Sequence, residues 1–316
     1  MNPESDKSEK LEQSNKLKKS AAVVSIISNI TLIILKLVIG IIMNSVSVLS
    51  EAIHSAIDLL AAVIAYFSIK EASKPADEIH PYGHGKFENV SGMIEAILIF
   101  LAAIYIIHES IAKIISKEVI KEAELGIIVM FISVIVNFFV SRYLFIVAKK
   151  TDSMALEADA WHLRTDVYTS LGIFVGLILI KITGNHLLDP IVAIIVAAWL
   201  IIISFKLIFA SLKDITDSKL SDDEEKIIID ILKNNSDLFI EYHKLRSRKA
   251  GSERFVDLHL VVPRHWNTEK THAISHMLEH KIAESLSGTQ LIIHIEPCKK
   301  KSKKCIQKFN CTECTL

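Results

Sequence analysis

The chain has 316 residues, and its 36 Lys and Arg balance 36 Asp and Glu, so neither a nucleic-acid partner nor an acidic one is implied. Hydrophobic residues make up 51% of it, and they are gathered in long blocks rather than scattered at helical or strand period. That distribution excludes an ordinary water-soluble globule and points to a lipid bilayer as the partner.

Residues 1–15 are polar, lack the basic-then-apolar pattern of a cleaved signal, and read as a disordered tail. Between 16 and 212 lie six stretches near the length needed to cross a membrane: Ala21–Met43, Val46–Ile69, Val90–Ile115, Leu125–Val147, Leu156–Ile182 and Pro190–Leu212. The fifth is the weakest, because Asp159, His162, Arg164 and Asp166 crowd its first half. That is expected of a helix lining a site. Lys16, Lys18 and Lys19 precede the first span, Lys70, Lys74 and Lys86 follow the second, Arg142 lies near the end of the fourth, and Lys149 and Lys150 follow it. The opposite loops at Asn44–Ser45 and Thr183–Leu188 carry no Lys or Arg. The positive-inside rule therefore predicts both termini in the cytoplasm, and the small size suits a prokaryotic cytoplasmic membrane. Lys36 reads as a snorkelling side chain, and Asn29 and Asn137 as interhelical hydrogen-bond partners.

Two spans carry the same polar interruption: His54 with Asp58, and His162 with Asp166. Residues four apart share a helix face about 6 Å apart along the axis, so each helix aims an imidazole and a carboxylate the same way. If the helices face each other, two nitrogens and two oxygens meet, a set that suits a tetrahedral dication such as zinc. Metal and protons then compete for the same lone pairs, which is the chemistry of an antiporter. In the loop after the second span, Asp77, His80 and His84 form a second candidate set, with Gly83 and Gly85 permitting a tight turn.

Composition changes at residue 213, and 213–297 reads as a small α+β domain. Ser221-Asp222-Asp223-Glu224 opens a helix whose buried stripe is Ile227, Ile228, Ile231 and Leu232. Strands are predicted over Tyr242–Lys249 and Arg254–Val262, a second helix over Thr268–Ser287, and a third strand over Thr289–Ile295. His243, His259, His272, His276, His294 and Glu296 all fall here. The remaining residues, 298–316, form a tail holding all four cysteines: Cys298, Cys305, Cys311 and Cys314, enough thiolates for a closed zinc site.

Ser47–His54 with Asp58, the loop Pro75–Lys86 and Ala158–His162 with Asp166 together resemble the cation diffusion facilitator family of proton-coupled divalent-cation efflux proteins. The resemblance spans about residues 16–297. It implies six transmembrane helices, a homodimer, and a cytoplasmic ferredoxin- or metallochaperone-like domain. It further implies a transport site of His54, Asp58, His162 and Asp166, and a loop site of Asp77, His80 and His84. A cytoplasmic zinc site is implied at His243, His259, His272, His294 and Glu296, the last a longer arm than the Asp of the family pattern. Lys86 and Asp217 match a charge pair at the dimer hinge. The His at position 54 resembles the zinc-selective branch. The ions expected are therefore zinc as cargo and regulator, and protons as counter-ion.

Two rivals stand beside this reading. Glu51-Ala52-Ile53-His54 and Asp159-Ala160-Trp161-His162 look like halves of a di-iron oxidase bundle, with Glu95 the one other carboxylate standing out inside a span. A metal-gated sensor or scaffold, with spans serving only as anchors, is the other.

Overall fold

The computed structural model describes residues 3–42, 46–116, 124–183, 187–300 and 302–309. It divides into two compact units, the first ending at Lys213.

The first unit holds six long helices: α1 (Pro3–Ile42), α2 (Val46–Ala72), α3 (Lys86–Ser116), α4 (Glu124–Thr151), α5 (Met154–Thr183) and α6 (Leu188–Ile215). In lipid every backbone polar group must be satisfied within its own segment, so apolar blocks of this length become helices. Among the described residues α1, α3, α4 and α6 each contain a stretch long and apolar enough to cross a membrane. The other two, α2 and α5, are the helices interrupted by the polar motifs.

The sequence reading stops its disordered tail at residue 15, whereas helix α1 already runs from Pro3. A Glu12–Lys16 ion pair at 2.8 Å, one turn apart, supports that polar extension.

Small residues let the helices approach. Ala21 and Ala22 of α1, Ile69 of α2, Leu144 and Ala148 of α4 and Ala155, Leu156 and Leu163 of α5 form one buried cluster. Ala96, Ile99 and Ala103 of α3 pack on Ala197 and Leu200 of α6 in another. A Cβ at Gly92 would lie 2.8 Å from Met154 Cγ, so the absence of a side chain there lets α3 meet the start of α5. Leu60, Phe67, Leu101, Phe139, Ile195 and Phe209 stay exposed, as lipid-facing residues must.

The second unit is an α+β layer: α7 (Asp222–Asn234), a short 3-10 turn (Ser236–Leu238), β1 (Glu241–Ala250), β2 (Glu253–Val262), α8 (Thr268–Ser285), β3 (Thr289–Pro297) and α9 (Lys303–Phe309). The sheet order is β1-β2-β3, with β1 and β2 antiparallel and β2 and β3 parallel. Ser221 and Glu224 close a reciprocal capping box at the start of α7. Val256, Leu258, Leu260 and Val262 of β2 bury one face of the sheet beneath Ile228 and Leu232 of α7 and Ile274, Leu278 and Ile282 of α8. Ile227, expected in the buried stripe, is instead exposed at 38%, because the α7 contact is narrower than four residues.

The other face of the sheet is polar, since side chains alternate along a strand. Phe255, Asp257 and His259 of β2 lie there, and Arg248 of β1 covers the Phe255 ring at 4.6 Å.

Candidate metal sites

In the first unit, α2 and α5 bring Asp58, His162 and Asp166 together, with one ligand atom of each within 4.8 Å of the others. His162 Nε2 lies 3.1 Å from Asp58 Oδ1, and both side chains are buried. Two donors on one tetrahedral ion with bonds of ~2.0–2.1 Å stand about 3.3 Å apart. The pair already has that spacing, and an imidazole nitrogen with carboxylate oxygens fits zinc chemistry. The backbone of His54 lies in α2, one turn before Asp58, but its side chain is outside the described residues.

Lys36 does not snorkel. It is buried, and its Nζ donates to Ser55 Oγ at 2.8 Å, tying α1 to α2 one turn before Asp58. Asn29 and Asn137 are buried, and among the described residues Asn29 Nδ2 and Asn137 Oδ1 have no hydrogen-bond partner. Lys18, counted in sequence as a loop charge, is 1% exposed and donates to Glu88 Oε1 at 2.7 Å. Ser153 donates to the other oxygen of Glu88, so one carboxylate joins α1, α3 and the turn before α5. Sequence reasoning missed this junction, because a Lys before a span looks the same whether or not an acid 70 residues away covers it.

The loop set also converges. Asp77 Oδ2 lies 3.3 Å from His84 Nε2 and Oδ1 lies 3.3 Å from His80 Nδ1. The His80 and His84 rings lie 4.4 Å apart. The sequence places them so by local means: Asp77 Oδ1 accepts from the backbone N–H of His80 at 2.6 Å and of Ile79 at 3.0 Å, and Gly83 takes φ 80°. The His80 backbone donor holds the Asp77 carboxyl below its ordinary range, with the imidazoles adding to the effect against modest desolvation. Two nitrogens and one charged oxygen make a three-ligand set that a fourth donor or water would complete.

In the second unit, His243, His259 and His294 stand opposite one another across β1, β2 and β3. Glu296, two residues after His294 on the same face, reaches back to His259 Nδ1 at 2.6 Å and His243 Nε2 at 3.4 Å. The His259 hydrogen bond keeps the Glu296 carboxyl below its ordinary value, with His243 and His259 charge assisting. The His294 ring is 4.6 Å from that of His259. A bulge between His243 and Arg246, with Lys244 at φ 53°, adjusts the register after His243.

His272 does not join this cluster. It lies on α8 beside His276, with ring centres 6.2 Å apart, and α8 packs on the opposite, apolar face of the sheet. The sequence match could assign it a family position but not a face. Asp217 accepts from Arg248 at 3.2 Å, and Lys86 is the first residue of α3.

The start of the tail folds onto the domain. Cys298 and Cys305 are buried with their sulfurs 3.4 Å apart, against Val261, Ile240 and Ile306. Arg264 donates to the Cys298 carbonyl, and Lys304 pairs with Glu241 at 2.6 Å. Cys311 and Cys314 lie outside the described residues.

A helical membrane unit with a buried His–carboxylate cluster and an α+β domain with a histidine face define a metal-handling membrane protein. Residues 22–216 match the model of the cation efflux transmembrane domain, and residues 220–298 that of the cation efflux protein cytoplasmic domain. The chain belongs to the cation efflux, or cation diffusion facilitator, family. It is 33% identical to the uncharacterized transporter sll1263 of Synechocystis sp., over 89% of this chain and 91% of that one. It is 28% identical to the cation-efflux pump FieF of Cronobacter sakazakii, over 81% and 84% of the two chains. A solved structure of CzrB in its zinc form covers 26% of this chain and 92% of its own at 33% identity, with a TM-score of 0.24. These relatives are transporters, so the chain is a cation efflux protein and not the di-metal oxidase weighed above.

Proposed function

We propose that this chain exports zinc from the cytoplasm in exchange for protons, as a homodimer in a prokaryotic cytoplasmic membrane with both termini inside. The observation that carries the reading is the convergence of Asp58, His162 and Asp166 from two polar-interrupted helices inside an apolar unit. Ionisable groups at that depth are costly unless they serve the cargo. His54, on the α2 face of Asp58, is the fourth ligand of this site by its i, i+4 placement. Two imidazoles with two carboxylates cancel the charge of a dication, so the loaded site buries no net charge. Nitrogen donors favour zinc over manganese, which prefers oxygen.

Zinc from the cytoplasm displaces protons from the ligands. Alternating access then opens the site outward, where protons displace the metal. The Asp77–His80–His84 set is a second zinc site in the loop, and His243, His259, His294 and Glu296 bind regulatory zinc in the cytoplasmic unit. Zinc there biases the dimer toward its active arrangement when the metal is plentiful.

Proteoliposomes with an internal pH dye test the reading. Zinc should drive proton movement in the native protein, and Asp58→Ala should abolish it. Undiminished flux in Asp58→Ala would reject the site. Zinc uptake with no dependence on a pH gradient would reject the exchange.

A further inference from the structure

Two carboxylates that the transport site does not use lie in the interior of the first unit. Asp159 of α5 and Glu95 of α3 are both fully buried. They feel each other's charge. Among the described residues neither oxygen of Asp159 meets the distance and angle of a hydrogen bond, and neither does Glu95 Oε2. The other Glu95 oxygen has only the Ser91 hydroxyl at 3.5 Å. On the α1 side, Ser25 Oγ is completely buried and faces the Asp159 carboxylate. A lone pair of unpartnered acids in low dielectric is strongly unfavourable, and so is a buried hydroxyl with no acceptor. Helices α1, α3 and α5 thus carry buried, unsatisfied oxygens into the same part of the interior.

The position along the helices is informative. The α5 helix begins at Met154, next to the basic turn assigned to the cytoplasmic side, and passes Asp159 before His162. At 1.5 Å per residue, Asp159 sits about 4.5 Å nearer that end than His162 does. Gly92 brings α3 against Met154, and Glu95 follows one turn later. Asp159 is close enough to His162 and Asp58 for their charges to act on it.

We infer that Glu95, Asp159 and Ser25 form an inner, oxygen-only station for a divalent cation on the cytoplasmic side of the transport site. It rests on the export reading for its role but not for its existence. Its donors are hard oxygens, so it takes a dication with part of its water shell and discriminates little between zinc and manganese. The next step, to a site containing imidazole, is where nitrogen-preferring ions are selected. The station neutralises the paired carboxylates while it is filled, and passes the ion about one helical turn onward.

The full-length protein in detergent provides the test, with Mn2+ read by electron paramagnetic resonance and Zn2+ by equilibrium dialysis. To silence the transport site, both are measured in an Asp58→Ala, Asp166→Ala background. Adding Asp159→Asn, or separately Glu95→Gln, should remove one bound ion per chain. In proteoliposomes with the transport site intact, Asp159→Asn should raise the zinc concentration for half-maximal flux by ~5-fold or more, and the maximal rate should fall less. Ser25→Ala should raise it by a smaller factor.

If the double variant Glu95→Gln, Asp159→Asn binds the same number of ions and keeps the native half-saturation, the station does not exist, and the acids are a protonated structural pair. If the native protein moves no zinc but the ion count still falls by one, the export reading fails and the station stands.

Discussion

The two units gather their candidate metal ligands by opposite geometric routes. In the membrane unit α2 supplies Asp58 and α5 supplies His162 and Asp166 four residues apart, so the α5 part of the cluster is built by the helical period alone. In the cytoplasmic unit His243, His259 and His294 come from three strands, and only the register of the sheet places them in a row. Asp58 and His162 of the first set are buried and Asp166 is half-buried, whereas His243, His259 and Glu296 of the second are all half-exposed. A ligand lost from the membrane set therefore leaves its partners stranded in low dielectric, while one lost from the sheet is replaced by water.

Transport should separate the two most sharply. His162→Ala should lower zinc flux by ~100-fold or more, since transfer between states needs every buried ligand, whereas Glu296→Ala should leave maximal flux within about tenfold and weaken its zinc dependence. Equal losses in the vesicle assay would end the distinction.

Stability gives the next contrast. Lys18→Ala strands Glu88 and should cost about 3–5 kcal/mol in denaturant titration of the purified protein. Leu258→Ala, which opens a hole under α7 and α8, should cost about 2–5 kcal/mol, confined to the cytoplasmic transition if the units melt separately. Ser221→Ala should cost only about 1 kcal/mol, because it removes one cap of α7.

The smallest effect concerns pH. Burial raises the Glu224 carboxyl, but hydrogen bonds with Ser221 and the Arg254 guanidinium outweigh it and hold the group below 4.5. A depressed carboxylate stabilises the fold above its ordinary pKa, and that contribution drains as the pH falls toward the lowered native value. Native protein should therefore lose part of its cytoplasmic stability below about pH 4.5, and Glu224→Gln should flatten that slope in thermal melts across pH.

What was legible in the chain divides along the same line. Helix α2, helix α5 and the pairs they carry follow from a period of 3.6, and the capping box at Ser221 from four adjacent residues. Lys18 counted only as a charge before the first span, and Lys36 looked able to reach the interface. Their partners, Glu88 and Ser55, are far along the chain, and no local pattern announces them. Whether His272 and His259 share a face within one chain was likewise not legible, and α8 packs on the opposite side of the sheet.

The amino-acid order by itself determined the apolar blocks, the two imidazole–carboxylate turns, the loop of Asp77, His80 and His84, and the order of elements in the cytoplasmic unit. These depend on neighbours a few residues apart, whose mutual geometry a helix turn or a tight loop already sets. Tertiary packing alone decided which buried charges are paired, which histidines share a face, and that Glu95 and Asp159 are both buried with unsatisfied oxygens. Burial and desolvation belong to the packed interior, and residues distant in sequence create that interior together.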